Sequence, residues 1–177
     1  MSDSLYWKEL SREKVFDVGF RSMDKVVFEL PNGKLGTYHL RCDGDCVVTV
    51  ALTKEQDVIL SRQYRPGKKR VILDIPGGGI KPNQTPEEAA KAELLEETGY
   101  TGTFRYVGEC WPDGYSSRIL HVFVATDCER VQDQTLDEYE FIEVVRMPLK
   151  EFRAFIRTGQ MTDIDGAYLG LDYLGLL

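Results

Sequence analysis

Over roughly the first 45 positions, apolar and polar residues alternate with a period near two, as in LYWKELSREKVFDVGF and MDKVVFELPNGKLGTYHL. That is the pattern of strands with one face buried. Pro31-Asn32-Gly33 falls between two such runs and predicts a hairpin. A hairpin alone is marginal in water, so this piece has to pack on the main body or on another chain. From Cys46 the pattern changes. CVVTVAL reads as a buried strand, 57–64 as a second and 71–75 as a third, stopped by Pro76 and Gly77-Gly78-Gly79. A helix is predicted next, with Thr85 as N-cap, Pro86 in its first position and Glu88 completing a Thr-x-x-Glu box. It runs to about Thr98, with Gly99 placed to end it. Strands at about 103–109, 119–126 and 141–146 follow, then helices over 148–158 and 163–174, the last weakened by Gly166 and Gly170. Strands mixed with a few helices predict a layered α/β or α+β domain. Residues 1–45 read as an N-terminal β element and 46–177 as the main domain.

Composition narrows the class. The chain has 177 residues, with 22 basic and 29 acidic ones, a net charge of −7. No Lys/Arg-rich run is present, which argues against duplex nucleic acid and anionic membranes as partners. The N-terminus lacks an apolar signal core and no run is long enough to span a bilayer. Cys42, Cys46, Cys110 and Cys128 therefore read as reduced thiols of a soluble, cytoplasmic protein. His39, Cys42 and Cys46 fit no standard zinc spacing and are read as structural.

Glu93, Glu96 and Glu97 carry the candidate chemistry. Offsets of three and four residues place their carboxylates on one side of the predicted helix. Like charges so spaced repel by roughly 0.2–0.5 kcal/mol per pair. A hard divalent cation removes that cost, and oxygen donors suit Mg2+ or Mn2+. The glycine loop is expected to bend and turn a backbone carbonyl, that of Gly77, toward the helix. Such ions keep waters and bind substrate phosphates, which is equipment for cleaving a phosphoanhydride.

The segment GGIKPNQTPEEAAKAELLEETGY resembles the signature of the Nudix hydrolase superfamily, Gly-x5-Glu-x7-Arg-Glu-U-x-Glu-Glu-x-Gly-U, with U a bulky apolar residue. Gly78, Glu93, Leu94, Glu96, Glu97, Gly99 and Tyr100 match, while Gln84 and Ala92 replace the early Glu and the Arg. The segments Arg62-Gln63-Tyr64-Arg65, Leu73 to Gly78, Gly114 to Ser117 and Asp137 to Glu143 are similar to the ADP-ribose pyrophosphatase branch. The resemblance implies an α/β/α sandwich with a mixed sheet and a homodimer that exchanges N-terminal sheets. It implies metal-dependent hydrolysis of a nucleoside diphosphate sugar, with ADP-ribose the first choice. Residue by residue, it implies metal ligation by Glu93, Glu97, Glu96, Glu140 and the Gly77 carbonyl. Glu93 and Glu96 also count among its catalytic residues. It implies a general base at Glu138 or Glu140, with Glu138 preferred, a pyrophosphate contact from Arg65, substrate binding by Arg62, and adenine stacking on Phe20. On the residues alone, one of the two arginines is expected in a structural ion pair, and Arg65 is the better ligand candidate. The two departures predict weakened metal affinity or rate. Hydrolysis of another sugar nucleotide or dinucleotide, or ADP-ribose binding without turnover, stays open on these residues.

Overall fold

The computed structural model describes residues 4–177. It divides into two compact units. The smaller extends to Gly44 and includes the distant segment Trp111–Ile119; the larger contains Asp45–Cys110 and Leu120–Leu177. Assignment of Trp111–Ile119 to the N-terminal unit is a departure from the division expected at residue 45.

The smaller unit is a three-stranded antiparallel sheet, β1 (Lys8–Val18), β2 (Arg21–Glu29) and β3 (Leu35–Arg41), in that order. The hairpin expected at Pro31-Asn32-Gly33 joins β2 to β3, with Gly33 N–H donating to Leu30 O at 2.8 Å. Trp7, Phe28 and Tyr38 form an aromatic cluster with centroids 5.1–6.0 Å apart. Trp111–Ile119 is tied on by paired backbone bonds, Arg41 N to Tyr115 O and Ser117 N to Arg41 O. Every residue of β1 is exposed, Leu10, Val15, Phe16 and Val18 included.

The larger unit is built on a seven-stranded mixed sheet of β4 (Cys46–Thr53), β5 (Asp57–Arg65), β6 (Arg70–Asp74), β7 (Gly77–Gly79), β8 (Tyr100–Cys110), β9 (Leu120–Arg130) and β10 (Ile142–Pro148). The main order is β10-β5-β4-β9-β8, with β6 on β5 and β7 on β4. Only the β4–β9 pair is parallel among these ladders. All eight residues of β4 are buried, as a strand covered on both faces requires. Helix α1 (Pro86–Thr98) packs Ala89, Ala90 and Leu94 on one face, against Val47, Ile59 and Phe123. On the opposite face, α2 (Leu149–Ile156) and α3 (Ile164–Tyr173) pack Phe152, Ile156, Ala167 and Leu171 against Val48, Val50 and Val124. This is the expected α/β/α sandwich. The glycines that weakened the last helix on propensity have a packing reason. A Cβ on Gly166 would lie 2.7 Å from Val48 Cγ2, and one on Gly170 would lie 2.5 Å from Val50 Cγ2. Their bare Cα atoms let α3 lie against β4.

One expectation is corrected. Gly77-Gly78-Gly79 does not form the sharp bend read from its composition; it is strand β7, in antiparallel register with Val48, Val47 and Cys46. Three glycines carry no side-chain alternation, so only the partner strand reveals the ladder.

Candidate active site

Helix α1 positions the central acids, and its ends are held as the sequence predicts. Thr85 Oγ1 accepts from Glu88 N at 3.2 Å, and Glu88 Oε2 accepts from Thr85 N at 2.8 Å. Gln84 closes the preceding turn, its Oε1 accepting from Lys81 N at 3.1 Å. The helix stops at Gly99 in the left-handed region, φ 76°. The alanines of the buried face let the helix sit close to the sheet, which carries Glu93 and Glu97 inward.

Glu97 is 5% exposed. Ser61 Oγ, from β5, donates to its Oε2 at 2.7 Å. Burial pushes the Glu97 carboxyl up to about 8 and Glu93 adds repulsion, while Ser61, the Gly77 N–H and Arg65 oppose the rise. Glu93, one turn earlier, is pushed up to about 7, first by burial and then by Glu96, with Glu140 and Asp137 contributing and Lys81 opposing. A Cβ on Gly78 would lie 2.5 Å from the Glu93 carboxyl carbon. The glycine strand is thus a floor on which a carboxylate can rest.

The three glutamates of the expected stack behave differently from one another. Glu96 faces Lys81, Nζ to Oε2 at 3.7 Å. Among the described residues no three Asp, Glu, His or Cys side chains converge closely enough to form a finished metal centre. What the structure brings together is a crowded, poorly solvated pair, Glu93 and Glu97. Glu97 is buried and Glu93 half-buried, and repulsion from Glu93 makes Glu97 harder to ionise; together they present hard oxygen donors whose repulsion a divalent cation would relieve. The donor set fits such an ion. Toward Glu97, Gly77 offers its N–H.

A second acidic group stands on the connection before β10. Asp137 to Glu140 form a turn, with Glu140 N donating to Asp137 O at 3.0 Å and Asp137 N donating to Glu140 Oε2 at 3.1 Å. Glu138 is exposed at its tip. The turn is anchored to the end of α1: Thr135 N donates to Glu96 O at 2.9 Å, and Gln134 Nε2 donates to Glu97 O at 2.5 Å and to Ile142 O at 3.1 Å. Last-turn carbonyls have no partner within their own helix, and here the anchor supplies one.

The candidate cations differ in availability. Arg62 is spent on its cross-strand neighbour, Nη1 to Glu143 Oε2 at 2.5 Å. Arg65 bonds Asp74 Oδ2 through Nε at 2.7 Å and keeps about one third of its side chain exposed. Phe20 belongs to the smaller unit, at the β1–β2 turn, 78% exposed and with Arg21 stacked 4.6 Å from its ring centroid.

Ser61, Lys81 and Gln134 are given no role by the sequence, nor is Asp74, although it lies in the segment Leu73 to Gly78 that resembles the ADP-ribose pyrophosphatase branch. Ser61 and Asp74 leave one trace, a polar residue placed directly on a buried apolar run, which costs stability unless it is bonded. Gln134 leaves none.

The sequence matches the NUDIX domain family over residues 44–163, a span that contains β7, all of α1 and the acidic turn. The chain belongs to the NUDIX family. It is 31% identical over 176 residues to a protein of Bacillus subtilis (strain 168) named ADP-ribose pyrophosphatase, covering 98% of this chain and 95% of that one. It is 30% identical over 159 residues to an ADP-sugar pyrophosphatase of Mus musculus, covering 78% and 72%. A solved structure described as an ADP compounds hydrolase superposes with a TM-score of 0.79 at 23% identity, covering 99% of this chain and all of that one. The last shows the Nudix fold; the first two support the enzyme class, a Nudix pyrophosphohydrolase. Nudix hydrolases work with a divalent metal. No helix among the described residues is long and apolar enough to cross a membrane.

Proposed function

We propose that this Nudix protein hydrolyses the pyrophosphate bond of ADP-ribose, releasing AMP and ribose 5-phosphate. The observation that carries the proposal is the pairing of buried Glu97 with half-buried Glu93 beside the glycine strand: Ser61 bonds Glu97, but among the described residues neither carboxylate has an ion pair to neutralise it. Glu93 and Glu97 would hold Mg2+, with Glu96, Glu140 and the Gly77 carbonyl as further oxygen ligands and Mn2+ as a substitute. When bound, such an ion supplies positive charge against the two phosphates. Arg65 binds the pyrophosphate from the β5 side, and its charge faces the oxygens on which negative charge develops. Glu138, free at the tip of the acidic turn, takes the proton of the attacking water. The water oxygen bonds to phosphorus and the bridging oxygen leaves with the other phosphate, so the products are two monophosphates. Phe20, which is exposed, and Arg62, for which substrate would have to compete with Glu143, are further candidates for substrate contact.

We infer further that the protein is a homodimer, since β1 leaves Leu10, Val15, Phe16 and Val18 exposed on an edge strand and a second copy is the partner that would cover them. Four free thiols suit a reducing, cytoplasmic setting.

The deciding experiment is product analysis with ADP-ribose and a panel of other sugar nucleotides and dinucleotides, in millimolar Mg2+, in Mn2+ and in EDTA. AMP from ADP-ribose, lost in EDTA, is the expected result. Preference for another substrate in the panel would move the assignment. Tight ADP-ribose binding without product would make the protein a binding module and overturn the proposal.

A further inference from the structure

Asp74 is a carboxylate in the interior of the larger unit, its side chain wholly buried. A buried charge persists only when it is paired and bonded. Three donors satisfy it. Arg65 Nε reaches Oδ2 at 2.7 Å, and Thr162, in the connection between α2 and α3, gives both its N–H and its hydroxyl to Oδ1 at 2.9 Å. Asp74 is also the register partner of Ser61, the residue that bonds Glu97. Arg65 lies four residues beyond Ser61 on the same strand, so both fall on one face of β5.

The way Arg65 is bonded is informative. Asp74 takes Nε, not the fork of the two terminal nitrogens, and among the described residues those terminal nitrogens make no hydrogen bond or ion pair. A guanidinium held by Nε keeps its Nη edge for a second, bidentate partner, and phosphate oxygens match that edge. Ser61 bonds Glu97 and Arg65 shares its face of β5, so the guanidinium lies on the side of the sheet that carries the acids.

We propose that Asp74 is the positioning residue of Arg65, fixing the guanidinium through Nε so that both terminal nitrogens are presented to the substrate pyrophosphate, with Thr162 holding Asp74 in place. The inference rests on the pyrophosphatase reading above and names a residue outside its glutamate motif.

A double-mutant cycle tests it. Arg65→Ala, Asp74→Asn and the pair are compared by kcat/KM on ADP-ribose, by the calorimetric affinity for inorganic pyrophosphate with Mg2+, and by thermal midpoint. Asparagine can still accept from Thr162, but its amide cannot accept from Arg65 Nε while it does so. Arg65→Ala should lower kcat/KM by about 10²-fold. Asp74→Asn should lower it by about 10-fold, and should lower it by less than about 2-fold more once Arg65 is gone. Equal losses from Asp74→Asn in both backgrounds would show a general packing role and overturn the proposal, as would no loss at all. If Asp74→Asn does not fold, Arg65→Lys decides. One ammonium cannot serve Asp74 and bind pyrophosphate as a fork, so Arg65→Lys should fall with Arg65→Ala; wild-type behaviour overturns the proposal. If the wild type cleaves nothing in the nucleotide panel, the functional reading fails, and the pyrophosphate affinities still decide for or against Asp74. No pyrophosphate binding by the wild type overturns both.

Discussion

Glu97 is 5% exposed and bonded to a serine from the sheet beneath it, whereas Glu138 stands in solvent on a turn that closes on its own backbone. Both belong to the proposed chemistry, and the contrast matches their tasks. A ligand for a cation has to be preorganised, and burial between α1 and β5 does that at the cost of a carboxyl harder to ionise. A proton acceptor has to meet a water that arrives with the substrate, and an exposed turn allows it. One region is therefore set by packing, the other by tethering to the end of the helix.

Substitutions should separate the two regions. Glu97→Gln keeps the shape and the bond from Ser61 but removes a ligand charge; AMP release at saturating Mg2+ should fall on the order of 10³-fold, with weaker Mn2+ binding by electron paramagnetic resonance. Glu138→Gln should lower kcat by about 10²-fold and leave Mn2+ binding intact. If Mn2+ binding falls in both variants, the division of labour is wrong. Gly78→Ala places a methyl against the Glu93 carboxylate and should lower kcat/KM by about 10-fold, with circular dichroism unchanged. Gln134→Ala cuts the side-chain link between the two regions; urea unfolding should show a loss of about 1–2 kcal/mol, and kcat should drop by only about 3-fold because Thr135 still anchors the turn.

Short-range signals make α1 legible in the amino-acid sequence. Thr85, Pro86, Glu88 and Gly99 act through neighbours three or four residues away, so the helix begins and ends where the sequence places it. The strands are less sharply read: β8 begins at Tyr100, directly after the cap, not near 103, since strand ends are set by a partner elsewhere in the chain. The glycine strand is hidden for the same reason, and so is the support of the site. Ser61 meets Glu97 across 36 positions, Gln134 reaches it across 37, and Thr162 meets Asp74 across 88. The helix carboxylates proposed as metal ligands repeat within one helical turn and show in the sequence; the groups that hold them come from other elements and do not.

The last turn of α1 bears two loads, since Glu97 turns its side chain inward to Ser61 while the carbonyls of Glu96 and Glu97 moor the acidic turn. One residue inserted between Glu93 and Gly99 would swing the downstream groups by about 100° around the helix axis. It would misdirect a ligand and unmoor the turn in a single event. Length variation among related chains should therefore gather before Thr85 and beyond the turn, and spare the short interval that serves both.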